Sequence, residues 1–370
     1  MAVVSEKTKF TPPDNLGTKY RVEEVERFVV AAMASLGVPP HNARALAQVL
    51  VAADVRGHYS HGLHRLDLYV NDVRASICEG GASPTIVKES ASTALVEGNN
   101  GLGPVVGSFC MDLAITKAQA TGVGWICAKG SNHYGIAGWY TMKAAERGLV
   151  GMSFTNTSPI VVPSRSKKPC LGTNPLSVAA PARGDDSFVL DMATSVVALG
   201  KVEVAQLYNK AMPEGWGLDK QGRTTTDPAA CLDHGFLLPL GATELHSSYK
   251  GFGLGMMVEI LCGIMSGAPY GQNLNTRNRS SVPADLSQCF VAIDPSFFAS
   301  GFQDRMSDFM DQCRNMEPVD KSRPVQVPGD PERANAQKVK SDQGITYHIN
   351  QVRESWQLAQ FLGISPLEWL

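Results

Sequence analysis

The chain has 370 residues, 44% of them hydrophobic, with 33 Lys plus Arg against 35 Asp plus Glu. That is apolar material for about two to three folded units of roughly 150 residues each, which excludes disordered and fibrous classes. A formal net charge of −2 supplies no electrostatic footprint for nucleic acid or an anionic membrane, so neither is expected as a partner.

Cysteines stand at 78, 110, 127, 170, 231, 262, 289 and 313, a spacing that fits neither a zinc module nor a secreted disulfide framework. Reduced thiols and a cytoplasmic location are expected, and Met1 to Thr11 lacks the apolar run of a signal peptide. Three helical patterns open the chain: Arg21 to Leu36, His41 to Val55 and Ser60 to Ile77. After Gly80-Gly81 short β-branched runs alternate with Ala-rich runs, from Thr93 to Val96 through Val123 to Ala128, Val150 to Asn156, Leu176 to Ala180 and Phe188 to Leu190. This texture predicts an α/β sheet domain.

Residues 200–239 are turn-rich and read as a long excursion. Gly251 to Gly267 is apolar but interrupted by Glu259, which predicts a buried helix rather than a membrane span. A Pro-rich linker, Glu317 to Glu332, precedes final helices at Ala334 to Lys340 and Ile349 to Phe361. The expected division is a helical domain of residues 1–85 completed by 334–370, around an α/β domain of 86–333. Neither helical set has enough apolar surface to fold alone.

The richest segment for chemistry is Gly57 to Arg65. With Ser60 as N-cap of the third helix, His61, Arg65 and Tyr69 recur on one face while Leu63, Leu66, Val70 and Val73 line another. An imidazole, a guanidinium and a phenol in a row suit a small carboxylic acid, since Arg grips a carboxylate with two parallel bonds. The plainer alternative is an amphipathic helix with a wet polar side. His58, His61 and His64 are spaced by three and fan apart, so no metal site is expected.

Ser131-Asn132-His133 follows the run Val123 to Ala128, at the strand end where open α/β sheets place ligands. Gly101-Leu102-Gly103-Pro104 resembles a dinucleotide fingerprint only superficially, because the next strand ends in Lys129 and not in an acid. A tight, closely packed turn is the preferred reading. Asp191-Met192-Ala193-Thr194-Ser195 ends a strand, and Tyr249-Lys250-Gly251 opens a helix where backbone donors suit phosphate.

Taken in order, Arg56-Gly-x-x-Ser60-His61-Gly62 with Arg65 and Tyr69, Ser131-Asn132-His133, Gly172-Thr173-Asn174-Pro175, Asp191 to Ser195, Leu238-Pro239-Leu240-Gly241, Tyr249-Lys250-Gly251 and Pro328-Gly329-Asp330 closely resemble the type 2 malate/L-lactate dehydrogenase family. The resemblance spans roughly residues 20 to 360. It implies a mixed-sheet, non-Rossmann dinucleotide-binding domain beside a helical domain formed by both chain ends, usually as a homodimer. It also implies an NAD(P)-dependent oxidoreductase acting on a small 2-hydroxy or 2-oxo acid. Malate with NAD is the first expectation, NADP stays open, and a cyclic imino acid or sugar keto acid is the alternative. A catalytically silent small-acid binding protein is the reading from another class.

By the same resemblance Ser60, His61, Arg65, Tyr69 and His133 surround the substrate. Thr157, Asn174, Asp191, Met192, Ala193, Thr194, Ser195, Tyr249, Lys250, Gly329 and Asp330 belong to the cofactor side. Both His61 and His133 qualify as the acid/base. His133 is preferred for its place beyond a strand end, while His61 beside Arg65 is suited to orienting the carboxylate. Ala205 to Lys210 is less basic than the family pattern, and Ala242 and Leu245 replace a common glycine and acid.

Overall fold

The computed structural model describes residues 18–233, 236–274 and 282–370; Met1 to Thr11 lies outside them. Strand β1 (Thr18–Tyr20) precedes helices α1 (Val22–Ala34), α2 (Pro40–Val55) and α3 (Leu66–Arg74). Next come β2 (Thr85–Glu89), β3 (Thr93–Glu97), α4 (Gly103–Thr121), β4 (Val123–Ser131), α5 (Ala137–Ala145), β5 (Val150–Thr155), β6 (Leu176–Pro181) and β7 (Ser187–Met192). The 200–239 excursion holds α6 (Leu199–Leu207), β8 (Gly217–Leu218), β9 (Thr224–Thr225), α7 (Pro228–Leu232) and β10 (Phe236–Leu237). The chain closes with α8 (Ser248–Glu259), β11 (Leu286–Ile293), α9 (Phe302–Arg314), α10 (Asp330–Ser341), β12 (Ile345–Tyr347) and α11 (Ile349–Leu362).

Seven strands form one sheet in the order β2-β3-β4-β11-β5-β6-β7. Only β3 and β4 run parallel, so the sheet is mixed, as the fold class requires. Its central strand β11 pairs antiparallel with β4 and β5 and is buried along nearly its whole length. A strand with both faces covered shows no period-two alternation, which is why the sequence did not announce it. At one edge of the parallel pair, α4 opens with Gly103-Pro104; a Cβ on Gly103 would sit 2.3 Å from the His133 carbonyl oxygen. The glycine pattern at 101–104 is thus a closely packed turn.

The two chain ends meet. β1 pairs with β12, Tyr20 opposite Ile345, and one buried cluster joins Tyr20, Phe28, Leu46, Leu50 and Leu66 to Tyr347, Val352 and Trp356. Each fully buried large side chain contributes about 1.5–3 kcal/mol. Among the described residues no helix is long and apolar enough to cross a membrane.

Two helix expectations need correction. The third helix is not continuous from Ser60: Tyr59–His61 and Leu63–Arg65 are separate 3-10 turns, and α3 starts at Leu66. The cause is the buried Asp54 carboxylate of α2, which accepts the Leu63 N–H at 2.8 Å and presses so closely on Gly62 that a Cβ there would lie 1.8 Å from its Oδ1. Ser60 therefore does not cap an α-helix. The apolar helix near residue 260 is buried on one face only. Val258 and Cys262 are enclosed, whereas Ile260 and Met265 are 51% and 56% exposed as α8 passes into a π-helical turn, Ile260–Ile264.

Candidate active site

His133 stands two residues beyond the end of β4, in a loop fixed from two sides. The Gln288 amide of β11 donates to the Asn132 carbonyl at 2.9 Å and its oxygen accepts from Ser131 Oγ at 3.0 Å. The Asn132 amide in turn donates to the Gly101 carbonyl at 2.9 Å, at the start of α4. A loop so held keeps its imidazole in place without ligand.

Tyr69 of α3 meets this histidine: its hydroxyl lies 2.6 Å from His133 Nδ1. The Gly135 N–H donates to the same nitrogen at 3.3 Å. Burial raises the Tyr69 phenol well above its ordinary range, so it stays neutral. A neutral hydroxyl both donates and accepts, and so can follow an imidazole through gain and loss of a proton. The His61 ring stacks on His133 with centroids 5.8 Å apart, and Ser60 Oγ is 2.9 Å from His61 Nδ1. Burial first, then the charges of His133 and Arg65, push the His61 pKa well below the ordinary value; the opposing charge is Glu203.

Arg65 is 8% exposed. Its Nε donates to the Ser60 carbonyl at 2.9 Å and its Nη2 pairs with Glu203 of α6 at 2.5 Å. The guanidinium keeps further N–H groups for a ligand, because it carries five in all. Gly200 makes this contact possible: a Cβ there would fall 2.4 Å from Arg65 Nη2. The segment expected to begin a turn-rich excursion thus begins with a helix that delivers a carboxylate to Arg65.

His61, Arg65 and His133 line one cleft of about 410 Å³, together with Thr157, Thr173, Ile160, Pro175 and Leu199. This volume lies within the range of small-molecule sites. The three histidines near residue 60 diverge, His58 toward Glu332 and His64 toward Glu203 and Glu354. Among the described residues no group of metal-ligating side chains converges.

Of the cofactor-side residues, Thr157 is in the cleft. Its N–H donates to Asn174 Oδ1 at 3.1 Å and its Oγ1 accepts from the Thr173 N–H at 2.9 Å. Asn174 stands behind that wall, fully buried, donating to the Gly255 carbonyl and to Glu259. The Thr194 hydroxyl donates to the Thr173 carbonyl, and that of Ser195 to Val197. Asp191 caps α5, accepting the Gly138 N–H at 2.7 Å. Burial pushes its carboxyl up to about 6, against that bond and the charge of Arg56; its neighbours Met192 and Ala193 are part-buried.

Tyr249 and Lys250 sit exposed in the first turn of α8. Gly329, at a φ of 103°, precedes Asp330, whose carboxylate holds Arg314, Arg333 and the Val327 N–H. These outlying residues do not line the cleft. The lining combines the polar residues Thr157, Ser158 and Thr173 with the apolar Ile160, Pro175 and Leu199, a mixture that would suit a nicotinamide.

Glu203 and Gly200 were not anticipated as site residues. The available signal was charge parity, since a buried Arg65 requires a carboxylate.

The sequence profile of the malate/L-lactate dehydrogenase family matches residues 20–354. A malate dehydrogenase of Pyrococcus horikoshii is 41% identical over 291 residues, 78% of this chain and 80% of the relative. An L-sulfolactate dehydrogenase of Methanocaldococcus jannaschii is 35% identical over 351 residues, 94% of this chain and 98% of the relative. The crystal structure of malate dehydrogenase from Entamoeba histolytica matches with a TM-score of 0.90 at 28% identity, covering 94% of this chain and 99% of that one. The chain belongs to the malate/L-lactate dehydrogenase family. It is accordingly an oxidoreductase, of a family that acts on small hydroxy acids and implies a nicotinamide cofactor.

Proposed function

We propose that this enzyme interconverts malate, or a close 2-hydroxy acid, and its 2-oxo acid with NAD, in the cytoplasm. The observation that carries the reading is the meeting of Arg65, His61 and the Tyr69–His133 pair in one cleft. Thr157, Thr173 and Pro175 would hold a nicotinamide, which would supply the hydride acceptor or donor. Arg65 holds the substrate carboxylate through the N–H groups not engaged by Ser60 and Glu203, which fixes C2 relative to the ring. His133 takes the hydroxyl proton in oxidation and returns it in reduction, with the Tyr69 hydroxyl against its Nδ1. His61, kept neutral by burial, donates or accepts a hydrogen bond at the carboxylate without adding charge.

The test is a spectrophotometric screen of malate, lactate, sulfolactate and ureidoglycolate with NAD and NADP. Turnover of malate with NAD at a kcat/KM above that of the other pairs is expected; turnover of none of the four acids refutes the substrate assignment.

We also propose a helical domain completed by residues 334–370 and a homodimer. The shared core of the two chain ends supports the first. The exposed Met256, Ile260, Ile264 and Met265 along α8 and its π turn support the second. Ile260→Glu should yield a monomer by light scattering if that stripe is the contact.

A further inference from the structure

Glu203 does two things at once. Its carboxylate pairs with Arg65 at 2.5 Å and lies 3.8 Å from His64 Nε2. His64 is therefore one residue from Arg65 in sequence and shares its counterion in space. On its other side Glu354 of α11 is 3.8 Å from Nδ1, and the buried Asp54 of α2 senses His64 as well. Arg65, Glu203, Glu354 and Asp54 are charged or titratable groups that act on this imidazole, and Asp67 lines the same recess as His64 and Glu354. Burial disfavours its charged form, but the two glutamates outweigh burial and leave its pKa raised.

Charge balance decides what happens when an anion enters. Arg65 and Glu203 neutralise each other, so an arriving carboxylate leaves the pair with one negative charge in a largely buried place, which is costly unless compensated. A proton on His64 restores neutrality and draws Glu203 partly away from the guanidinium. We propose that Glu203 is a positioning residue for Arg65 and that His64 and Glu203 couple carboxylate binding to proton uptake. The inference rests on the role of Arg65 proposed above and extends it: the enzyme binds its acid together with a proton taken up outside the reacting centre.

The sign follows directly. The KM for the acid rises as pH increases through the titration of His64, while the KM for the cofactor does not follow it. The direct measurement is calorimetric titration of the cofactor-loaded enzyme with oxamate, an unreactive analogue of a 2-oxo acid, in two buffers of different ionisation enthalpy. At a pH above the titration of His64 in the free enzyme, proton uptake is expected in the wild type, and its loss in His64→Gln. In Glu203→Gln the KM for the acid should shift about fivefold or more and lose its dependence on pH, with kcat within about twofold of wild type.

Oxamate binding that Arg65→Lys weakens, with no proton uptake or with uptake unchanged in His64→Gln, overturns this inference and leaves the substrate reading standing. Oxamate binding that is indifferent to Arg65→Lys overturns both. A Glu203→Gln enzyme whose kcat and both KM values fall together, with the pH profile intact, also refutes the positioning role.

Discussion

Two ionic regions of the molecule differ in one respect. Around Arg314 every guanidinium nitrogen is used: Nε and Nη2 donate to Asp330 at 3.1 and 2.7 Å, and Nη1 donates to Asp186 at 2.7 Å. Arg333 adds a second cation to Asp330 and donates to the Ser187 carbonyl. Burial opposes ionisation of Asp330, but these partners and the Val327 N–H outweigh it and hold its carboxyl down at about 2. Around Arg65 the same kinds of group are left incompletely matched. One carboxylate serves an arginine and a histidine, and the neighbouring Asp54 accepts, among the described residues, from the Tyr347 hydroxyl and the Leu63 N–H and not from a cation. A saturated network stores stability. An unsaturated one retains the capacity to bind a further charge.

The largest effect that tests this contrast belongs to the histidine proposed as acid and base. His133→Asn should lower kcat about 10²- to 10⁴-fold, the usual worth of a general acid or base, with the KM for the acid little changed. His61→Asn should mainly raise that KM. A pH profile of turnover at saturating cofactor separates them: if His61→Asn loses both turnover and the acidic limb while His133→Asn keeps them, the roles are exchanged.

Second is the pH dependence of stability. Burial raises Asp54 from its ordinary 3.8 to about 7, against the Tyr347 and Leu63 hydrogen bonds. A carboxyl with a raised folded pKa contributes stability that is present below its unfolded pKa and lost as pH rises through the folded one. The contribution of Asp54 to the unfolding free energy should therefore decline between about pH 4 and 7, by an amount on the order of 4 kcal/mol at most. Urea titrations across that range should show a flatter slope for Asp54→Asn. Retention of the full slope would place its origin elsewhere.

How much of this was legible beforehand depends on distance along the chain. His61, Arg65 and Tyr69 lie within one short segment, and local spacing put them on a common face. His61 and Arg65 do line the cleft and Tyr69 reaches it through His133, by way of two 3-10 turns set by Asp54 instead of one helix. His133 was legible because a strand ended before it. Glu203 was not, because nothing local in sequence links α6 to residue 65; the packing of Gly200 against Arg65 and the ion pair itself do. The central strand β11 escaped for a similar reason: burial on both faces erases alternation. The half-exposed face of α8 escaped because apolar composition alone does not distinguish a buried face from an exposed one.

Third, Arg65→Lys keeps the charge but loses the planar fork. The KM for the acid should rise about 10- to 100-fold, with cofactor affinity nearly unchanged. Equal damage to both affinities in a steady-state study would remove the carboxylate role and, with it, the contrast between the two arginines.

The smallest expected effect lies at the saturated corner. Asp330 is one of the residues that the family resemblance assigns to the cofactor, yet its oxygens are occupied by Arg314, Arg333 and the Val327 backbone. Asp330→Asn keeps the shape and removes the charge, which leaves two partly buried arginines short of one counterion while Asp186 still serves Arg314. The cost should be about 1–2 kcal/mol, read as a fall of a few degrees in Tm. Saturation of the carboxylate predicts that the KM for the nicotinamide cofactor stays within about twofold of wild type once folded enzyme is compared. A large rise in that KM at unchanged Tm would mean that Asp330 releases an arginine to meet the dinucleotide. The corner would then belong with Arg65 among the regions that hold charge in reserve.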